Sequence, residues 1–135
     1  TEREISEVLL TLCGKQEWSL VNFHVAPRVT PTLTGQIRGH HEWWIELRPG
    51  TRLTPIGPQV AAEVDAELQR LNPDYATRRK DGIIGAPTVR LVMPGVFEHW
   101  LRYRGQWGGQ NKTPHCRSDR LIADELKKVT NFAQD

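Results

Sequence analysis

HEWWIELRPGTRLTPIGPQVAAEVDAELQRL, residues 41–71, contains the two patterns that decide the fold. In an extended strand successive side chains point to opposite faces. Over 41–48 this puts Trp43, Ile45 and Leu47 on one face and Glu42, Trp44, Glu46 and Arg48 on the other. Trp44 interrupts the polar face, so it is expected to pack under a helix. Pro49-Gly50 closes the strand, and a turn region with Pro55, Gly57 and Pro58 follows. The period then changes. Over 59–71, Val60, Val64, Leu68 and Leu71 recur at helical spacing, with Glu63, Asp65, Glu67 and Arg70 mostly off that stripe. Asn72-Pro73 stops the helix.

Upstream, Ile5, Val8, Leu9 and Leu12 predict a short amphipathic helix over 4–13, with Gly14 as its stop. Trp18, Leu20, Val21, Phe23 and Val25 read as a strand ended by Pro27. Residues 27–39, rich in Pro, Thr and Gly, are expected to form a partly mobile connection. Downstream, the segment from Tyr75 to Gly85 is polar and basic, with Arg78, Arg79 and Lys80 in a row. Thr88 to Met93 is a third strand, closed by Pro94-Gly95. Val96, Phe97, Trp100 and Leu101 suggest a short helix. Residues 105–117, GQWGGQNKTPHCR, read as a loop, and Ser118 or Asp119 caps a last helix with the stripe Ile122, Leu126 and Val129. The result is a single α/β domain over 1–135: a small mixed sheet of about three strands with helices packed on it. The two strands before the long helix are expected to pair antiparallel.

Composition agrees. A chain of 135 residues can bury a sizeable core. Hydrophobic residues at 38% and charged residues at 25% argue against disorder. No apolar run approaches the roughly 20 residues of a spanning helix, so no membrane association is expected. The polar start Thr1-Glu2-Arg3-Glu4 is not a signal peptide, which points to the cytoplasm. A start at Thr also suggests a trimmed or excerpted chain. Cys13 and Cys116 allow one disulfide, and two reduced thiols fit at least as well. The net charge is +2, unevenly placed. Residues 1–74 hold seven Lys/Arg against ten Asp/Glu, and residues 75–135 hold eleven against six. The second half can therefore face a phosphate or carboxylate, but it lacks the dense basic stripe of a nucleic-acid binder.

Signatures of complete active sites are missing. There is no Walker-type phosphate loop, no GxGxxG after a strand, no GxSxG and no HExxH. His40 and His41 point to opposite strand faces and make a poor chelating pair. His24, His115 and Cys116 are too scattered to announce a zinc site, so no metal site is expected. Adjacent His115 and Cys116 are equally poor as a base–nucleophile pair. Trp107 in the glycine loop serves either packing or contact with a ligand or neighbouring domain. The loop itself is the most suggestive feature. Gly108 and Gly109 permit close approach, and Gln110, Asn111, Lys112 and Thr113 gather amides, a cation and a hydroxyl before Pro114 stiffens the exit. Such a lysine is suited to placing a point charge against a phosphate or oxyanion. A solvated lysine in a turn is the plainer alternative.

At this loop the chain resembles a known family. NKTPHCR at 111–117 is similar to the Asn-x-Lys-x-Pro-x-Cys run near the end of the GH3 family, the auxin-responsive acyl-acid amido synthetases. NPDYATRRKDGIIGAPTVRLVMPGVFEHW at 72–100 resembles that family's stretch of a tyrosine with basic residues, an Ile-Gly-Pro-like turn, an arginine-centred strand and a Gly-x-Phe. GHHEWWIEL at 39–47 resembles the strand that begins Gly-His and ends Trp-Glu-Leu, and TERE at 1–4 resembles the Thr-Glu start of its first C-terminal-domain helix. The four matches are collinear.

The resemblance implies the C-terminal lid domain of an adenylate-forming ligase, attached to a larger N-terminal adenylation domain. Such enzymes use ATP and magnesium to turn a carboxylic acid into an acyl-adenylate, then transfer the acyl group to an amine, usually of an amino acid. The small domain closes and rotates between the two steps and is not expected to act, or to bind the cofactors tightly, alone. By the same resemblance Lys112 is the catalytic residue that reaches nucleotide phosphate, with Asn111 and Thr113 shaping its loop. His115 stands where many plant members carry arginine, and 27–39 departs from the plant pattern, which suggests a bacterial or otherwise divergent member. The alternative is a non-catalytic interaction domain that keeps the fold, with Trp107 and Arg78–Lys80 as its partner surface.

Overall fold

Trp43 and Trp44 are consecutive in a strand and therefore project to opposite sides, yet both are fully buried. A sheet covered on both faces needs a helical layer on each. The computed structural model describes residues 2–31, 33, 35, 37–50, 55–104 and 114–133 and has this three-layer build. In chain order the described elements are α1 (Glu2–Gln16), β1 (Leu20–Pro31), β2 (Ile37–Leu47), α2 (Gly57–Leu71), α3 (Pro73–Lys80), β3 (Thr88–Leu91), α4 (Val96–Tyr103) and α5 (Leu121–Ala133).

The sheet order is β1-β2-β3. β1 and β2 pair antiparallel, with Phe23 opposite Ile45 and His24 opposite Trp44. β3 runs parallel to β2, with Val89 beside Trp43 and Arg90 beside Trp44. A parallel pair needs a crossover, and α2 with α3 supplies it. The sheet is thus mixed, as expected.

On one face Phe23, Val25, Trp43 and Ile45 pack against Ile5, Val8, Leu9 and Leu12 of α1, Val60, Val64 and Leu68 of α2, and Tyr75 of α3. On the other face Ala26 and Trp44 pack under Val96, Phe97 and Trp100 of α4 and Ile122, Ala123, Leu126 and Val129 of α5. The helical stripes read from the sequence are the buried ones.

Several boundaries differ from the sequence expectation. α1 runs through Gly14 to Gln16, and Glu17 takes the left-handed position at φ 59° that ends the helix. The Trp18 amide then bonds back to the Cys13 carbonyl at 3.0 Å, closing a Schellman turn. β1 does not end at Pro27. It continues to Pro31 opposite Ile37, so most of the expected connection is hairpin ladder. β1 is the edge strand, where proline removes no needed ladder bond. Asn72-Pro73 stops α2 and also starts α3. The Asn72 side chain accepts from the Tyr75 amide at 3.1 Å, and proline fits the first helical turn. With Tyr75 as its buried residue, α3 gives almost no periodic signal.

Two glycines are required by geometry. A Cβ on Gly57 would lie 2.8 Å from the Val89 carbonyl oxygen, so α2 begins hard against β3. Gly95 sits at φ 93° before α4. The cap of α4 comes from outside the helix. Buried Glu46 of β2 accepts from the Gly95 amide at 3.0 Å and the Phe97 amide at 3.1 Å, placing a carboxylate at the positive helix end. Glu46→Ala should therefore cost about 2 kcal/mol of unfolding free energy. Urea denaturation checks this, and Glu46→Gln, which keeps one acceptor oxygen, should lose less.

Candidate functional site

Asn111, Lys112, Thr113 and Trp107 lie outside the described residues. The two ends of their segment are described. On the entry side, α4 ends at Tyr103, and Arg104 places its guanidinium 5.4 Å from the Trp100 ring centroid and 3.5 Å from Glu125 of α5. On the exit side, residues 114–117 lie along β1. The Val25 amide donates to the His115 carbonyl at 2.8 Å, and the Arg117 amide to the Val25 carbonyl at 3.4 Å, a short parallel bridge between Val25 and Cys116.

Side chains reinforce this bridge. The His115 ring stacks on Phe23 with centroids 4.0 Å apart. Arg117 holds Asp119 through two contacts of 3.0 and 2.8 Å. Asp119, one of the two candidates with Ser118, accepts from the Leu121 amide at 3.1 Å and so satisfies the first amide of α5. Arg117, then the Leu121 amide, hold its carboxyl down at about 2.

His24 completes the anchor. It is fully buried, and its Nδ1 bonds the Pro114 carbonyl. A carbonyl only accepts, so Nδ1 carries the proton. Nε2 is then a buried lone pair with no partner among the described residues. Burial pushes the His24 pKa below the usual imidazole value, against the opposing pull of the Pro114 bond. His24 is therefore a neutral clamp on the residue two positions beyond Lys112.

Next to this anchor lies a buried ionic cluster. Glu42 is 1% exposed. Its Oε1 accepts from the Trp44 indole at 2.8 Å and from Arg120 at 2.9 Å, and its Oε2 from Arg28 at 2.8 Å. Arg120 also donates to the Pro27 carbonyl at 2.9 Å, tying the start of α5 to β1. Burial alone would raise the Glu42 pKa. The hydrogen bonds from Arg120, Trp44 and Arg28 outweigh it, and the net shift is downward.

The histidines are dispersed. His24 faces Pro114, His115 lies on Phe23, and His41 stacks near Tyr75 at 6.1 Å. Among the described residues no three His, Cys, Asp or Glu side chains are grouped to hold a metal. Both cysteines are free, and burial raises the Cys116 pKa, which keeps the thiol protonated. The basic run of α3 is partly consumed inside the fold. Arg79 forks onto Asp65 at 2.9 and 3.0 Å, and Arg78 meets Asp74 at 3.2 Å.

Sequence reasoning missed His24 as an anchor and Glu42 as the centre of a cluster. The one available signal was Glu42 sharing a strand face with an inward-packing tryptophan. Both groups make stability depend on pH. The folded pKa of each lies below its unfolded value, so the stability each contributes is present above the unfolded pKa and lost as pH falls. For His24 the loss begins below the ordinary value of 6.5, and for Glu42 below 4.5. The urea midpoint should thus drop between pH 7 and 5, and His24→Phe should shrink that step, to which His40 and His41, also lowered by burial, contribute. Glu42→Gln should flatten the drop below pH 4.5 instead.

A family model described as the GH3 family C-terminal domain matches residues 3–121. An indole-3-acetic acid-amido synthetase, GH3.8 of Oryza sativa subsp. indica, is 34% identical over 89 residues, covering 62% of this chain and 15% of its own length. Among solved structures, the GH3.15 acyl acid amido synthetase superposes with a TM-score of 0.63 at 21% identity, over 96% of this chain and 23% of that one. The same enzyme in complex with 2,4-DB gives a TM-score of 0.63 at 19% identity, over 93% and 23% of the two chains. These two likenesses show the fold. The chain thus spans under a quarter of the length of these relatives. With the family match covering most of the chain, and the α/β fold shared with solved members, this protein belongs to the GH3 family, whose C-terminal domain it represents.

Proposed function

We propose that this chain is the closing C-terminal domain of an ATP-dependent acyl-acid amido synthetase. The observation that carries the reading is the family match over 3–121, which takes in Asn111, Lys112 and Thr113. A larger N-terminal domain of the same polypeptide would hold the adenine and the acyl acid. The relatives, several times longer than this chain, support that arrangement.

In the first step a substrate carboxylate oxygen attacks the α-phosphorus of ATP, and pyrophosphate leaves. In the second an amine attacks the acyl carbon, AMP leaves with the bonding electron pair, and the amine gives up a proton to form the amide. Lys112 acts in the first step. Its ammonium neutralises charge that builds on the α-phosphate oxygens, while Asn111 and Thr113 shape its loop. A point charge works only when positioned. The clamp of Pro114–Arg117 on β1 supports this role, because it fixes one end of the loop to the sheet. Magnesium is held mainly by substrate phosphates with one or two carboxylates, so its ligands need not come from this domain. A cytoplasmic setting, with ATP and amino acids at hand, is compatible with the free cysteines. No helix among the described residues is long and apolar enough to cross a membrane. The modest identity to the rice enzyme supports a divergent member.

The test is Lys112→Ala in the full-length polypeptide, assayed by ATP–pyrophosphate exchange with a panel of carboxylic acids. Exchange should fall by about 10²-fold with the urea midpoint unchanged. Equal exchange rates in variant and parent overturn the role of Lys112.

A further inference from the structure

Three guanidiniums, from β1, β3 and the start of α5, turn toward the single buried carboxylate of Glu42. Two are enough to satisfy it. Arg120 and Arg28 sit at 2.9 and 2.8 Å, and the Trp44 indole adds a third donor. Arg90 stands back, with its Nε 3.7 Å from Glu42 Oε2, beyond hydrogen-bond range, and its guanidinium 4.8 Å from the Trp44 ring centroid. Packing on the indole holds Arg90 in place and leaves its charge available. Arg28 and Arg90 are 44% and 41% exposed, so each presents unused N–H groups to solvent. Among the described residues the other acid at the cluster is Asp124, solvent-exposed and 3.4 Å from Arg120. His40, opposite Arg28 in the ladder, lies on the same face. Its pKa is lowered by burial and then by Arg28, as expected beside surplus positive charge.

We propose that Arg28 and Arg90, organised by buried Glu42, form a phosphate-binding site on the α5 face of the sheet. Both flank the same oxygen, Glu42 Oε2, Arg28 at 2.8 Å and Arg90 at 3.7 Å, so one polyoxyanion can engage both guanidiniums. A tetrahedral phosphate offers enough oxygens to engage two planar donors at once. The phosphate is either a free anion or the tail of a nucleotide. The site is built wholly from described residues and does not depend on the role given to Lys112.

The experiment is calorimetric titration of the full-length polypeptide with pyrophosphate, inorganic phosphate, ATP and adenosine, each at two salt concentrations. Arg90→Gln is the main variant, because Arg90 makes no hydrogen bond to Glu42 and its loss should lower the urea midpoint less than Arg28→Lys does. Pyrophosphate affinity should fall at least about tenfold in Arg90→Gln, and again in Arg28→Lys. Lys112→Ala should leave this component of binding intact. An Arg90-dependent component seen with ATP as well identifies a nucleotide tail, and one confined to the inorganic anions identifies a free ligand. Absence of saturable binding at millimolar concentration, or equal affinity in Arg90→Gln and parent, overturns the site. Binding lost in Lys112→Ala but kept in Arg90→Gln also overturns it, and leaves the proposed function standing.

Discussion

The structure depends on one strand being buried from both sides. β2 carries Trp43 and Trp44 back to back, and neither retains contact with water. Each indole removes a large apolar surface from solvent only if a helical layer covers it, so α1 to α3 must pack on one side and α4 and α5 on the other. Burial also encloses the polar residues that flank the tryptophans in β2. Glu42 and Glu46 lie on the Trp44 face and are almost fully covered. A carboxylate in that position is costly unless every oxygen is met. Glu46 is met by the amides that start α4, and Glu42 by guanidiniums from β1 and the start of α5. The two acids therefore orient the elements that pack on them.

The same requirement reaches the residues that follow Lys112 in the chain. Arg120, held by Glu42 and by the Pro27 carbonyl, fixes the start of α5. From there back to Pro114 the chain is bound to β1 by the Val25 bridge and the His24 clamp. The role proposed for Lys112 calls for such a rigid base, because an electrostatic effect depends on position more than on charge alone. The sheet thus supplies stability and, through buried polar groups, fixes Pro114 to Arg117 along β1.

Much of the fold was legible in single stretches of chain. The stripes Val60-Val64-Leu68 and Ile122-Leu126-Val129 and the alternation Trp43-Ile45-Leu47 are periodic, and periodicity reflects which side faces a core. The Asp119 cap was visible because its side chain acts on amides next to it in sequence. α3 was not visible, because a helix with Tyr75 as its buried residue has no stripe. The run of β1 past Pro27 was hidden because proline breaks a strand only where its N–H is needed, and that depends on which neighbour lies alongside. Gly14 misled in the opposite way, since a glycine inside a helix is tolerated at modest cost.

By itself the sequence determined the period of most elements, the faces to be buried and a family likeness that runs in order along the chain. These depend on residues a few positions apart, where local sterics and hydrophobic burial act. The tertiary structure decided which groups meet across long separations: His24 with Pro114, Glu46 with Gly95, and Glu42 with Arg120. No periodic pattern encodes such pairs. Each arises because a buried polar atom must find a partner, and the partner is whichever group the packing of the helical layers brings within reach.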